Sequence, residues 1–252
     1  MSRKETYRYK HADKIGATDK PVPQFVNISE EKKKEFEEGK VLLIDKPLHW
    51  TSFDVVRKIR GSIRIKKVGH AGTLDPLATG LLIICTGKFT KQINDFVAQK
   101  KEYTGTFTLG FTTPTYDLES TPENEKDIST ITEQMLHDAT KPFIGDIMQM
   151  PPIYSAIKKD GVALYELARR GEAVDLKARP ITIHQFEIIK IDLPTVHFKI
   201  VCSTGTYIRS MAHDFGTSLG CGAYLSSLRR TKIGEFDVEN ALSVDEFLAS
   251  LN

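Results

Sequence analysis

Cysteine is scarce: Cys85, Cys202 and Cys221 are the only three in 252 residues, an odd number with no two close together. That pattern supports neither a disulfide framework nor a cysteine-rich zinc site, and it points to a reducing, cytoplasmic setting. Cys85 and Cys202 lie in apolar runs and read as small core residues. Long apolar runs are also lacking. The longest, residues 81–85, suits a buried strand and falls far short of a membrane span. The N-terminal stretch MSRKETYRYKHADK has no apolar segment, which excludes a secretory signal, and Glu5 and Asp13 argue against a transit peptide. There is no P-loop and no Rossmann glycine fingerprint, and the seven histidines are dispersed with no pair at ligand spacing. Phosphoryl transfer, dinucleotide redox chemistry and metal-assisted hydrolysis thus lack their usual signatures, and neither cofactor nor metal is expected. Net charge is only +2, so its overall value says little about partners.

The distribution of charge says more. Arg57, Lys58, Arg60, Arg64, Lys66 and Lys67 fall in one short stretch without an acid. Such a run either neutralises phosphates of a polyanion or forms a solvated basic face.

Residues 1–40 read as a polar N-terminal extension, rich in Lys, Glu and Asp, partly disordered, with EEKKKEFEEGK able to form a short charged helix. The folded domain is expected over 41–252. VLLID at 41–45 reads as a buried strand ending in a turn at Lys46-Pro47. Thr51 and Asp54 have capping-box spacing, and Phe53, Val56, Ile59 and Ile63 follow at near-helical intervals, so a helix carrying the basic run is expected. From Tyr103 the period becomes two: Tyr103, Gly105, Phe107, Leu109 and Phe111 alternate with threonines, as in a half-buried strand. TTPTYDLESTPENEKD reads as a polar loop and ITEQMLHDATKPFIG as a helix stopping before Pro142. PPIYSAIKKDG reads as a rigid turn, and ALYELARRG as a short helix capped by Gly171. ITIHQFEIIKID and TVHFKIVC read as paired strands. Ile208, Met211, Phe215 and Leu219 share a helical face, and SVDEFLASL ends the chain as a short helix. Strands and helices mix without a βαβ rhythm, which predicts an α+β fold with a mixed, largely antiparallel central sheet flanked by helices.

The densest signal is VGHAGTLDPLATGLLIICTG at 68–87, where four glycines and a proline punctuate a loop leading into a buried strand. Pro76 restricts Asp75 to extended backbone, so its carboxylate is held rigidly at the mouth of an apolar strand. That suits a nucleophile or base; taken alone, an Asp-Pro in a loop is more often a turn.

GHAGTLDPLATGLL resembles the catalytic motif of TruB-type tRNA pseudouridine synthases. Further matches follow in order: VLLIDKP, KEYTGTFTLG, PPIYSAIKKDGVALYELARRG, CSTGTYIRSMAHDFG and GCGAYLSSLRRTKIG. The resemblance covers 41 to about 250 and implies a pseudouridine synthase-like catalytic domain that isomerises the T-loop uridine of tRNA. It implies that Asp75 is the catalytic carboxylate, Arg209 its basic partner and Tyr103 the aromatic stacked on the extruded uracil. Tyr207 and Leu228 are expected to line the pocket. His70 is expected to fill the space left by the flipped base, and Lys46 and Pro47 to support the active-site loop. RNA backbone contacts fall to Arg64, Lys66 and Lys67 within the basic run, with Lys100, Lys101, Lys158 and Lys159 as further candidates. Each position also has a plainer reading: Tyr103 and Leu228 as core, Arg209 in a surface ion pair, His70 as a hydrogen-bonded loop residue, Lys46-Pro47 as any turn.

Many members of that family carry a C-terminal RNA-binding module, often a PUA domain. Here the sequence runs to Asn252 directly after SVDEFLASL, so a bacterial, stand-alone type gripping the T-arm is expected, monomeric and without an obligate protein partner or membrane contact. Two other readings stay open: a non-catalytic RNA-binding or remodelling module of the same fold, and a glycoside-bond hydrolase. The latter needs two placed acids, and no second acid stands out in the glycine loop.

Overall fold

The chain was analysed as a computed structural model that describes residues 28–154 and 176–251, with the backbone of 158–159 and 162–163. Of the expected helix ALYELARRG only Ala163 is among them, in a short strand, and the rest lies outside the described residues.

Helix α1 (Glu30–Glu38) opens the described chain, with Ser29 as N-cap accepting the Lys32 amide. The last part of the expected extension therefore packs on the body. Ile28 and Phe36 are buried, Phe36 sets its ring edge-on to Phe247, and Lys32 donates to the carbonyls of Ser250 and Leu251. Strand β1 (Val41–Lys46) leads to α2 (Ser52–Ile63), whose capping box is formed as the spacing predicts: Thr51 accepts the Asp54 amide and Asp54 accepts the Thr51 amide. Val55, Val56, Ile59 and Ile63 are its buried face. Phe53, which the periodicity placed on that face, is 58% exposed. The helix also does not carry the whole basic run. It ends at Ile63, Arg64 takes a left-handed conformation (φ 54°), and Lys66 and Lys67 lie in the connection to β2 (Val68–Ala71).

Strand β3 (Ala78–Thr86) is buried along almost its whole length. Leu82 and Ile84 face one core with Ile59, Ile63 and Phe247; Leu81, Ile83 and Cys85 face another with Ile233 and Val238. A strand buried on both sides has no polar alternation, which is why it reads as an unbroken apolar run. After α3 (Ile93–Ala98) come β4 (Lys101–Leu109), α4 (Glu133–Thr140), β5 (Gly145–Gln149), the small hairpin β6 (Lys158–Lys159) and β7 (Val162–Ala163), then β8 (Arg179–Asp192) and β9 (Thr195–Cys202). Helix α5 (Ile208–Ser218), β10 (Ala223–Ile233), β11 (Phe236–Asp237), β12 (Leu242–Ser243) and α6 (Val244–Ala249) complete it.

The main sheet has ten strands with the path β12-β1-β3-β10-β4-β9-β8-β5, β2 and β11 pairing beside it. Only β1–β12 and β3–β10 are parallel, so the sheet is mixed and largely antiparallel, as expected. The β4–β9–β8 half packs Phe107, Phe198 and Phe186 against Met211 and Phe215 of α5.

One register positions the site. Leu228 of β10 lies beside Ala78 of β3 and Gly105 of β4; Arg230 lies beside Gly80 and Tyr103. The strands approach so closely that a Cβ on Gly80 (φ 101°) would sit 2.3 Å from the Arg230 carbonyl oxygen. Glycine is needed there on both counts.

Candidate active site

Asp75 stands in the loop between β2 and β3, three residues before the strand begins. That loop is pinned from several sides. Ser52, at the start of α2, accepts the Leu74 amide at 2.8 Å and donates to the Leu74 carbonyl at 3.2 Å. His49 donates its amide to the Pro76 carbonyl at 2.8 Å, and Ala78 donates to the Asp75 carbonyl at 3.0 Å. Lys46, fully buried at the end of β1, donates to the carbonyls of Trp50 (2.5 Å), Pro47 (2.9 Å) and Pro76 (3.5 Å). Burial lowers its amine to about 8 against the attraction of Asp75. The backbone on both sides of Asp75 is thus tied down, which fixes where its side chain starts.

Arg209 enters from the first turn of α5, with a side chain only 6% exposed. Its Nε lies 3.0 Å from Asp75 Oδ2 and its Nη2 3.5 Å from Asp75 Oδ1. Nε has no well-aligned hydrogen bond, so this contact is chiefly one of charge. Nη2 donates to the Tyr154 carbonyl at 2.9 Å and Nη1 to the Thr115 carbonyl at 3.3 Å. Asp117 Oδ2 lies 3.6 Å from the same Nε, its side chain 4% exposed. Burial pushes the Asp117 carboxyl up, opposed by Arg209, by Thr115 Oγ1 donating at 2.6 Å and by the Glu119 amide at 2.9 Å. The guanidinium is therefore held between two carboxylates, of which only Asp75, 39% exposed, is open to a ligand.

The opening is a cleft of about 1100 Å³, counting its mouth, lined by Asp75, Tyr103, Tyr207, Arg209, Leu228 and Arg230 among others. Tyr103 is buried, and burial raises its hydroxyl against the pull of Arg230. Arg230, itself buried, donates to the carbonyls of Leu81 (2.8 Å) and Gly72 (3.1 Å), joining the glycine loop to β10. Gln149 accepts the Tyr207 amide at 2.8 Å and donates to its carbonyl at 3.0 Å, fixing the entry to α5.

The fold thus brings Asp75, Arg209, Tyr103, Tyr207 and Leu228 to one cleft. Lys46 and Pro47 lie beneath the loop rather than on the cleft wall. His70, on β2 opposite Ile84, is outside the lining as well, and burial followed by the charge of Arg230 lowers its imidazole, which favours the neutral ring. Arg64 and Lys66 line a separate open cleft with Arg57 and Arg60. Lys67 is exposed beside it. Lys100 is exposed, but Lys101 is no phosphate ligand: it is 5% exposed, and its ammonium donates to the carbonyls of Val97 and Gln99 at the end of α3. Lys158 and Lys159 form β6, and their side chains lie outside the described residues. The residues that sequence reasoning missed are Arg230, Asp117, Thr115, Ser52 and Gln149. Asp117 sits in a stretch that reads as polar loop, and only its pairing beside Leu225 of β10 brings it to the site.

An ion-paired carboxylate and a buried tyrosine thus line one cleft on a mixed sheet. The same fold occurs in the solved Cbf5-Nop10-Gar1 complex (TM-score 0.66, 28% identity, 86% of this chain and 55% of that one). It recurs in the archaeal box H/ACA sRNP Nop10-Cbf5 complex (TM-score 0.63, 26% identity, 92% of this chain and 61% of that one), so the chain spans little more than half of these solved chains. Residues 60–208 match the TruB family pseudouridylate synthase N-terminal domain and 209–252 the tRNA pseudouridylate synthase B C-terminal domain. Curated relatives called tRNA pseudouridine synthase B are 55% identical in Flavobacterium johnsoniae (86% of this chain, 98% of the relative) and 50% identical in Phocaeicola vulgatus (84% and 93%). The chain belongs to the TruB family of pseudouridylate synthases.

Proposed function

We propose that this protein isomerises the T-loop uridine of tRNA to pseudouridine, with Asp75 as the catalytic carboxylate. The observation that carries this reading is Asp75, exposed to the cleft and paired with Arg209 at 3.0 Å, beside the buried Tyr103. The reaction breaks the C1′–N1 bond of uridine, turns the uracil and joins C1′ to C5; the C5 proton leaves, N1 gains one, and no atom is added overall. Whether the carboxylate attacks C1′, adds to C6 or removes the 2′ proton, it must be ionised. Arg209 places a positive charge 3.0 Å from it, and a guanidinium keeps its charge when buried.

The target atom is unreachable in stacked RNA, so the base leaves the stack. Tyr103 then offers an aromatic face, a contact worth about 1–3 kcal/mol per base. Leu228 and Tyr207 close the pocket around it, while His70 fills the space the base vacates. Phosphates of the T-arm lie against the basic cleft of Arg57, Arg60, Arg64 and Lys66.

The test is the product. Unmodified tRNA transcript is incubated with the protein, and the nucleosides and their positions are analysed. Pseudouridine at the T-loop uridine is expected. Free uracil would make the protein a hydrolase, and unchanged tRNA that is nevertheless bound would make it a binding module.

A further inference from the structure

The loop after β4 meets α5 at Arg209 through residues 115 and 117, and Tyr116 sits between them. Its backbone is left-handed (φ 63°), an unfavourable state for a residue with a side chain. Its carbonyl accepts the Leu225 amide at 2.9 Å, and its ring stacks on His213 with centroids 4.1 Å apart and planes at 17°. His213 lies four residues beyond Arg209 on α5, one turn along the same face. Neither ring lines the catalytic cleft.

We propose that the Tyr116–His213 stack is a positioning device for the Asp75–Arg209 pair. It fastens the loop to α5 one turn past Arg209, so that the Thr115 carbonyl and Asp117 hold the guanidinium aimed at Asp75. Both of those contacts are long, at 3.3 and 3.6 Å, so a small drift of the loop breaks them. The loop's other fastenings run to β10 through Leu225, within itself through Thr112 with Glu123 and Thr115 with Ser120, and to the turn after α5 through Lys126 and the Gly220 carbonyl. Beside the two Arg209 contacts themselves, the stack is thus the contact that joins this part of the loop to the body of α5. This inference rests on the reading of Asp75 and Arg209 as the catalytic pair.

Single-turnover conversion of an unmodified tRNA transcript tests it, with RNA affinity and thermal melting measured beside it. Tyr116→Ala and His213→Ala should each slow the chemical step about tenfold, on the scale of one aromatic contact, with unchanged affinity. Tyr116→Phe, which keeps the ring, should turn over like wild type. The double alanine variant should be no slower than either single one, because both remove the same contact. A wild-type rate in folded Tyr116→Ala and His213→Ala would overturn the proposal, as would a Tyr116→Phe variant as slow as Tyr116→Ala. Should Tyr116→Ala fail to fold, His213→Ala and Tyr116→Phe decide it. Asp75→Asn separates the two levels. If it still turns over, the catalytic reading fails; if it is inactive while both alanine variants run normally, only the positioning role fails.

Discussion

Two buried amines show how single residues trade stability for order. Burial lowers both Lys46 and Lys101 from 10.5 to about 8, and both spend their donors on backbone carbonyls. A lowered amine binds fewer protons in the folded state than in the unfolded one between about pH 8 and 10.5. Its cost is therefore fully present below pH 8 and fades as pH climbs to 10.5, so stability rises across that window. Cys85 and Cys202, pushed up to about 11 by burial, act in the opposite sense above pH 9. A difference measurement isolates the lysine. In urea unfolding, the stability of wild type relative to Lys101→Met should increase from pH 8 to 10.5; a flat difference would mean that Lys101 keeps its ordinary affinity for protons. At this scale Asp75 was legible through the resemblance of its loop to a family motif, since an Asp-Pro among glycines reads by itself as a turn. Asp117 was not, since nothing in TTPTYDLES separates a carboxylate that turns inward from one that faces water. Lys101 was misread for the same reason: a lysine beside another lysine looks solvated until α3 is seen to cover it.

Among elements, the parallel pairing of β3 with β10 does most to assemble the site, because it sets Leu228 and Arg230 against the strand that follows Asp75. Gly80 permits that approach. Gly80→Ala should force β3 and β10 apart and lower stability by more than about 2 kcal/mol, as overpacking combined with a disallowed backbone does. Denaturant unfolding reads this directly, and a loss under ~0.5 kcal/mol would show that the strands can relax around the methyl group. The fold was readable at this scale where a pattern is local. The α2 capping box, the alternating β4 and the β8–β9 pair all follow from spacing alone. The periodicity finds Val56, Ile59 and Ile63 on the buried face of α2 but also puts Phe53 there, which is exposed, and passes over Val55, which is buried. The sequence also suggests a longer helix, since a basic run carries no mark of the left-handed turn at Arg64. Strand order was beyond reach, for β3 pairs not only with nearby β1 and β2 but with β10, where Ala78 meets Leu228.

Across the whole molecule the net charge is only +2, yet Arg57, Lys58, Arg60, Arg64, Lys66 and Lys67 fall in one short stretch without an acid. Arg57, Arg60, Arg64 and Lys66 form an open basic cleft apart from the catalytic one, which lets phosphate binding be weakened without touching the chemistry. Charge reversal at Arg64, Lys66 and Lys67 should weaken tRNA binding and flatten its dependence on salt, by about 0.7–0.9 in the log–log slope for each phosphate no longer neutralised. Titrations over a range of salt concentrations check this, and an unchanged slope would remove the basic run from the interface. No helix among the described residues is long and apolar enough to cross a membrane.

The most direct measurement is tritium release from tRNA transcript labelled at uracil C5, with wild type and Asp75→Asn compared side by side. Joining C1′ to C5 must expel that hydrogen, so wild type should release tritium in proportion to pseudouridine formed, while Asp75→Asn should bind the same tRNA and release none. Release by both proteins would contradict the role given to Asp75. Release by neither, with tRNA still bound, would contradict the enzymatic reading altogether.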